Sequence, residues 1–260
     1  RKRAVSVSYI DARGAEVEQP AEMVILTSFT FGNTRLMLLS GIGKPYDPYS
    51  NRGVIGRNYA NHISGKVTLF FEDKVFNPFA GGGGRAAMID DFNGDNFDHA
   101  GLGFIGGAYL AERGREATPI NTHPVPSGTP RWGAQWKRSV AHYYQRSFVI
   151  GCNGGCQSYR MNYLDLDPTY RDANGLPLLR MTLDWRENEL KISSYLTDKA
   201  AEIGRAIGPS TMDVRKVSGK YNIASSGNTH NTGGAIMGAD PATSAVNKYL
   251  QSWDVPNVFV

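Results

Sequence analysis

The chain has 260 residues, 41% of them hydrophobic and 20% charged, which suits a globular protein able to bury one large core or two small ones. No run of eighteen apolar residues occurs, and Arg1-Lys2-Arg3 leads straight into an alternating pattern, so neither a membrane-spanning helix nor a signal peptide is expected. The net charge of +4 is carried by scattered basic residues, which argues against nucleic acid as a partner.

The first residue is not Met and the last three, Val258-Phe259-Val260, are apolar; we expect a fragment of a longer protein. Residues 4–10 alternate as a strand, Asp11-Ala12-Arg13-Gly14 turns, and residues 15–19 return, which makes a hairpin interrupted by Pro20. Met23-Val24-Ile25-Leu26 is continuously apolar, as in a strand buried on both faces. Thr27-Ser28 then lead into a helix carrying Phe31, Leu36 and Leu39 that stops at Ser40-Gly41-Ile42-Gly43. A buried strand, a small-residue turn and a helix build a nucleotide-binding α/β layer, with ligands at the strand's carboxyl end where Thr27 and Ser28 sit. An ordinary α/β connection has the same pattern, and both readings stay open.

Residues 54–62 read as a polar loop, residues 66–71 as a strand, and Ala80-Gly81-Gly82-Gly83-Gly84 as a flexible connector. The acidic run at 90–98 offers Asp91, Asn93 and Asp95 at the first ligand positions of a calcium loop. The required glycine falls on Asn96 and the closing carboxylate on Leu102, so we expect a polar turn or pocket wall and no metal. Residues 102–110 form a strand or a close-packed turn, 121–130 a Pro-rich loop, and 135–146 a helix through Trp136 and Val140. Strands follow at 148–150 and from Gln157, then a turn-rich piece at 164–170 and an alternating strand at 178–183. Residues 187–207 give the clearest helix, with Leu190, Tyr195 or Leu196, Ala200 and Ile203 on one face and Gly208-Pro209 as its stop. Cys152 and Cys156 lack the further ligands a zinc site needs, and we expect two free thiols or an incidental pair. The middle stretch, 62–215, mixes antiparallel-type strands with helices. The expected class is therefore α/β plus α+β: an α+β unit at 62–215 inserted between 1–61 and 216–260. In the last part, residues 244–251 and 257–260 both read as buried strands.

One run gives this organisation a chemical focus: Asn228-Thr229-His230-Asn231-Thr232-Gly233-Gly234-Ala235-Ile236-Met237-Gly238. An imidazole titrates near neutrality and suits proton transfer, although most histidines are structural or solvated. Gly233 and Gly234 remove side chains beside it, which lets another backbone or a flat cofactor come close.

Several of these motifs together resemble the glucose–methanol–choline (GMC) flavoprotein oxidoreductases. Residues 28–43, ending Leu36-Met37-Leu38-Leu39-Ser40-Gly41-Ile42-Gly43, resemble the family's second signature, and Gly56-Arg57-Asn58-Tyr59-Ala60-Asn61-His62 resembles the loop after it. Residues 229–260 resemble the catalytic-histidine segment. Residues 90–107, Pro168-Thr169-Tyr170-Arg171-Asp172 and Tyr249-Leu250-Gln251-Ser252-Trp253-Asp254-Val255-Pro256-Asn257 resemble the branch of bacterial membrane-bound gluconate, 2-ketogluconate, fructose and sorbitol dehydrogenases, large flavoprotein subunit. Thr30-Phe31-Gly32-Asn33-Thr34-Arg35 departs from the small Ser/Pro run usual inside the second signature.

The resemblance implies FAD, oxidation of a CH–OH group of a sugar, sugar acid or polyol, and His230 as the general base. It implies Asn231 as a secondary polar contact and Thr27, Ser28, Gly233 and Gly234 beside the cofactor. Residues 1–61 and 216–260 would belong to the FAD-binding domain and 62–215 to the substrate domain. Substrate hydroxyls need paired polar groups there, and Asn93, Asn96, Tyr109, Arg131 and Gln157 are the expected contacts. The resemblance further implies a cytochrome c subunit, a small chaperone-like subunit, quinone as the final acceptor, and a place at the periplasmic face of the bacterial inner membrane. The family's Gly-rich opening and its second catalytic Asn or His have no counterpart in this sequence. The alternative reading is a non-catalytic fragment, at most a sugar-binding or subunit-docking module.

Overall fold

The computed structural model describes residues 2–77, 87–113, 125–223 and 229–260. The elements run β1 (Ser6–Ile10), β2 (Glu16–Pro20), β3 (Val24–Ile25), α1 (Phe29–Leu39), β4 (Ile55–Ala60) and β5 (Ile63–Phe70). Next come β6 (Met88–Ile89), β7 (Ala108–Arg113), α2 (Gly133–Tyr143), β8 (Ser147–Gly154), β9 (Tyr163–Arg171) and β10 (Pro177–Thr182). The chain ends with α3 (Glu187–Ile207), β11 (Thr211–Arg215), β12 (Thr232–Ala235) and β13 (Val258–Phe259). This is a mixed α/β fold with antiparallel sheets and few helices. Among the described residues no helix is long and apolar enough to cross a membrane.

The chain divides into two compact units. The first comprises Arg1–Asn61, Gln157–Asp184 and Asn228–Val260, the second His62–Cys156 and Trp185–Gly227. Residues 157–184, read from the sequence with the middle stretch, thus lie with the first unit.

The second unit is a five-stranded sheet, order β11-β5-β8-β7-β6, packed on α3. Along β5 the buried residues Ile63, Gly65, Val67 and Leu69 alternate with Ser64, Lys66 and Thr68, which are more exposed; period two sends one set to each face. On α3, Ile192, Leu196 and Ala200 are buried one turn apart and cover the first set. Burying Ile192 and Leu196 stabilises by about 1.5–3 kcal/mol each. The helix lies close because its floor is bare: a Cβ on Gly65 would stand 2.1 Å from Thr197 Oγ1. At its start the Arg186 N–H donates to Glu189 Oε2 at 3.1 Å, and Gly208, at φ 76°, ends it. The two cysteines of this unit, Cys152 and Cys156, form no disulfide.

The first unit is built from short pairings: the β1–β2 and β9–β10 hairpins, β4 antiparallel to β12, and β3 parallel to β13. Its core gathers Met37, Val54, Ile55, Ala245 and Val246, with Leu26, Ile42 and Val260 packed against them.

Four expectations change. The run at 23–26 is a two-residue strand with Met23 and Ile25 exposed, so it is not buried on both faces. The loop expected at 54–62 is β4, with Tyr59 fully buried; tertiary burial outweighs the polar Arg57-Asn58. The turn-rich piece at 164–170 is β9, where the Asp167 carboxylate accepts the Thr169 and Tyr170 N–H groups at 2.8 Å each and so lets the strand pass Pro168. Residues 244–251 are not one strand. Ser244, Ala245 and Val246 are buried, then the chain turns, with Leu250 at φ 62°.

Candidate functional site

The run that carries His230 sits on a bent pair of strands. β12 and β4 shift register twice between Thr232 and Ala235, and Gly56, Asn58, Gly233 and Gly234 all adopt positive φ. A Cβ on Gly56 would stand 1.8 Å from the Leu164 carbonyl oxygen, and one on Gly233 would stand 2.2 Å from that of Asn58. One on Gly234 would stand 2.2 Å from Thr34 Oγ1. The two glycines beside the histidine are therefore required by the protein's own backbone and side chains, a cause the sequence alone does not separate from cofactor approach.

The bend fixes Asn231. Its backbone carbonyl accepts the Thr30 hydroxyl at 2.8 Å, and its side-chain oxygen accepts the Tyr59 hydroxyl at 2.5 Å. Tyr59 is buried and lies 5.6 Å, ring to ring, from Phe31. The first turn of α1 and the core of β4 thus hold Asn231, while His230 next to it is exposed. An imidazole so placed can take a proton from a hydroxyl and release it to solvent.

Beside this run is a cavity of about 440 Å³ lined by Phe29, Thr30 and Asn33 of α1, by Gly233 and Met237, and by Val260, within the range of small-molecule sites, about 300–1,000 Å³. Phe29 and Met237 are more than half exposed, and Phe29 is held at φ 62°, a costly conformation for a bulky residue. An apolar rim with polar Thr30 and Asn33 and a bare glycine wall fits a flat heterocycle such as a flavin ring.

The Ser40-Gly41-Ile42-Gly43 motif has a structural task. It closes α1 with N–H bonds from Ser40 to Leu36 O and from Ile42 to Met37 O, both 2.9 Å. The Gly43 N–H donates to Asp254 Oδ2 at 3.0 Å; this bond, then Lys2 at 3.1 Å, holds the Asp254 carboxyl below the usual aspartate range. Arg35 of α1 meets Asp172 at 2.6 Å, which lowers that carboxyl too. Two further motifs quoted from the sequence are so joined to α1.

The other expected residues are dispersed. Thr27 and Ser28 are exposed just before α1, and the Ser28 N–H donates to Asn33 Oδ1 at 2.7 Å. The Asn96 amide donates to the Asp90 carbonyl at 2.8 Å, and the Asn93 amide donates to the Asp90 carboxylate. Tyr109 lies on β7, and Arg131 is exposed ahead of α2. These four belong to the second unit, whereas Gln157, exposed, belongs to the first. Sequence reasoning passed over Phe29, Thr30, Asn33 and Tyr59, which lie about two hundred positions before the histidine. For Thr30 and Asn33 the local signal was the departure from the usual signature at 30–35.

Comparison with known proteins gives independent results. Residues 158–260 match the family model described as GMC oxidoreductase. The chain is 48% identical over 263 residues to the gluconate 2-dehydrogenase flavoprotein of Pantoea cypripedii, covering 100% of this chain and 43% of that protein. It is 26% identical to the 2-methyl-1,2-propanediol dehydrogenase of Mycolicibacterium austroafricanum, over 99% of this chain and 46% of that protein. It is 24% identical to the fructose dehydrogenase large subunit of Gluconobacter japonicus, over 100% of this chain and 45% of that protein. The chain spans less than half the length of these relatives.

Proposed function

Starting from the GMC oxidoreductase segment at residues 158–260, we propose that this chain is part of an FAD-dependent dehydrogenase acting on CH–OH groups of a sugar, sugar acid or polyol. The observation that carries the reading is the pairing of an exposed His230 with an immobilised Asn231 beside a cavity of flavin-compatible lining. FAD, when bound, supplies the acceptor for the carbon-bound hydride. The chain's own residues divide the remaining work. His230 takes the hydroxyl proton, and Asn231, held by Tyr59 and Thr30, contributes a fixed polar group. Phe29, Gly233 and Met237 face the cofactor, with Thr27 and Ser28 at the edge of that site.

In this reading the first unit contributes to the FAD-binding domain and the second to the substrate domain. The similarity to two flavoprotein and large subunits supports assembly with a cytochrome c subunit and a small chaperone-like subunit at the periplasmic face of the inner membrane. A second reading, a sugar-binding or subunit-docking piece without turnover, is favoured for the isolated 260 residues by their 43% coverage of the gluconate enzyme.

The test is an absorbance spectrum of the purified full-length protein and of the isolated chain, before and after anaerobic gluconate, sorbitol or fructose. Flavin absorbance that bleaches with one of them supports the dehydrogenase. A full-length protein without flavin absorbance overturns it. A colourless isolated chain beside a yellow full-length protein confines the second reading to the fragment.

A further inference from the structure

Unlike α1 and α3, the helix α2 contains no buried residue. Trp136, Ser139, Val140 and Tyr143 recur at helical spacing and are half-buried, and the Tyr143 ring meets that of Phe70 on β5 at 5.1 Å. This is the face turned to the second unit. The opposite face, made of Ala134, Gln135, Lys137, Arg138, Ala141 and His142, is exposed. Just ahead of the helix Trp132 is 83% exposed, and Arg131 beside it is exposed too. Tryptophan is usually well buried; here its ring stands in water.

The charge on this surface has one sign. Residues 125–147 contain no Asp or Glu. Among the described residues, the side chains of Arg131, Lys137 and Arg138 take part in no ion pair or hydrogen bond. Glu72 is the acid that meets α2, at its last turn, where it accepts the Tyr143 hydroxyl at 2.6 Å and pairs with the His142 ring at 2.7 Å; Asp73 follows it there. Ala134 and Ala141 flank Arg138 on the exposed face, so the helix backbone can lie close to a flat surface.

We propose that the exposed face of α2, anchored by Trp132, docks on the headgroup layer of a bilayer that carries anionic phospholipids. Arg131, Lys137 and Arg138 meet the lipid phosphates. The Trp132 ring, with an apolar body and one N–H donor, sits at the boundary between headgroups and acyl chains. A basic amphipathic helix with an aromatic anchor is the form that lies in such an interface. Its cations stand on a convex surface, which headgroups in a fluid sheet can rearrange to meet, whereas a protein partner would need a fixed acidic groove. The contact would be this chain's own, beyond any attachment through partner subunits, and it does not depend on the His230 reading.

The test is flotation of the full-length protein with vesicles of phosphatidylglycerol and phosphatidylcholine in equal parts, and with vesicles of phosphatidylcholine alone. The wild type should float with the anionic vesicles, be released by raised salt, and stay behind with the neutral ones. Lys137→Gln/Arg138→Gln should bind the anionic vesicles about 25-fold more weakly, at about fivefold per charge. Trp132→Ala should weaken binding by about tenfold. Trp132→Phe should still float but lose the quenching of tryptophan emission by brominated phosphatidylcholine in the anionic vesicles. Failure of the wild type to float overturns the proposal, as does equal flotation of the wild type and the Lys137→Gln/Arg138→Gln variant. An equal loss in Arg13→Gln/Lys248→Gln, which removes the same charge from the first unit, overturns it as well. So does release of partner subunits from the intact complex by Lys137→Gln/Arg138→Gln with vesicle binding unchanged, which would make α2 a protein interface.

Discussion

The two units solve the folding problem differently. The second relies on regular structure: two strands of eight residues, a helix of twenty-one, and side chains such as Val67, Leu69, Leu110 and Leu196 with no exposed surface. The first uses strands as short as two residues and bends them. Among the described residues, all four non-glycine positions with positive φ, namely Phe29, Asn51, Asn58 and Leu250, lie in it. Side-chain bonds replace ladder there. Asn257 alone accepts the Ala4 N–H at 3.0 Å and donates to the Ala4 and Glu22 carbonyls at 2.8 Å each. Irregular backbone places groups where regular pairing would not, and the candidate catalytic run sits in that unit.

Substitutions can break this contrast. The largest expected effect is Leu196→Ala, which should cost about 2–5 kcal/mol and accelerate amide exchange in β5 and β8, visible by hydrogen exchange. Gly56→Ala comes next. Its Cβ would stand 1.8 Å from the Leu164 carbonyl oxygen at φ 92°, and a cost of about 3 kcal/mol should appear in denaturant unfolding, with exchange rising in β4 and β12. Asn257→Ala removes three hydrogen bonds and should lose about 2 kcal/mol by the same measurement. A cost near zero would show that the side-chain stitching of the first unit is dispensable.

The smallest effect concerns pH. Asp254 has its pKa lowered from 3.8, chiefly by the Gly43 N–H. A carboxyl with a depressed folded-state pKa contributes stability that is complete above its unfolded value and lost as pH falls through the folded one. Asp254→Asn should therefore flatten the stability profile below about pH 3.8 and leave its slope near neutrality unchanged.

Legibility followed the same division. α3 was readable to the residue because its apolar spacing and the Gly208-Pro209 stop are local signals. β4 and β9 were not, since Arg57-Asn58 and Asp167-Pro168 read locally as loop and only Tyr59 and Leu164, both fully buried, reveal the strands. The 230–234 run stood out by composition. Its surroundings did not, because Thr30 and Tyr59 reach Asn231 across 201 and 172 positions of chain. The GMC resemblance supplied the chemistry that no spacing rule contained.

The central claim is that His230 moves the substrate's proton from a scaffold that binds flavin without it. The most direct measurement is the anaerobic rate of flavin bleaching by gluconate in the full-length protein, wild type against His230→Ala. The account predicts an unchanged oxidised-flavin spectrum and a rate lower by about 10²–10⁴. Equal rates in the two proteins would contradict it.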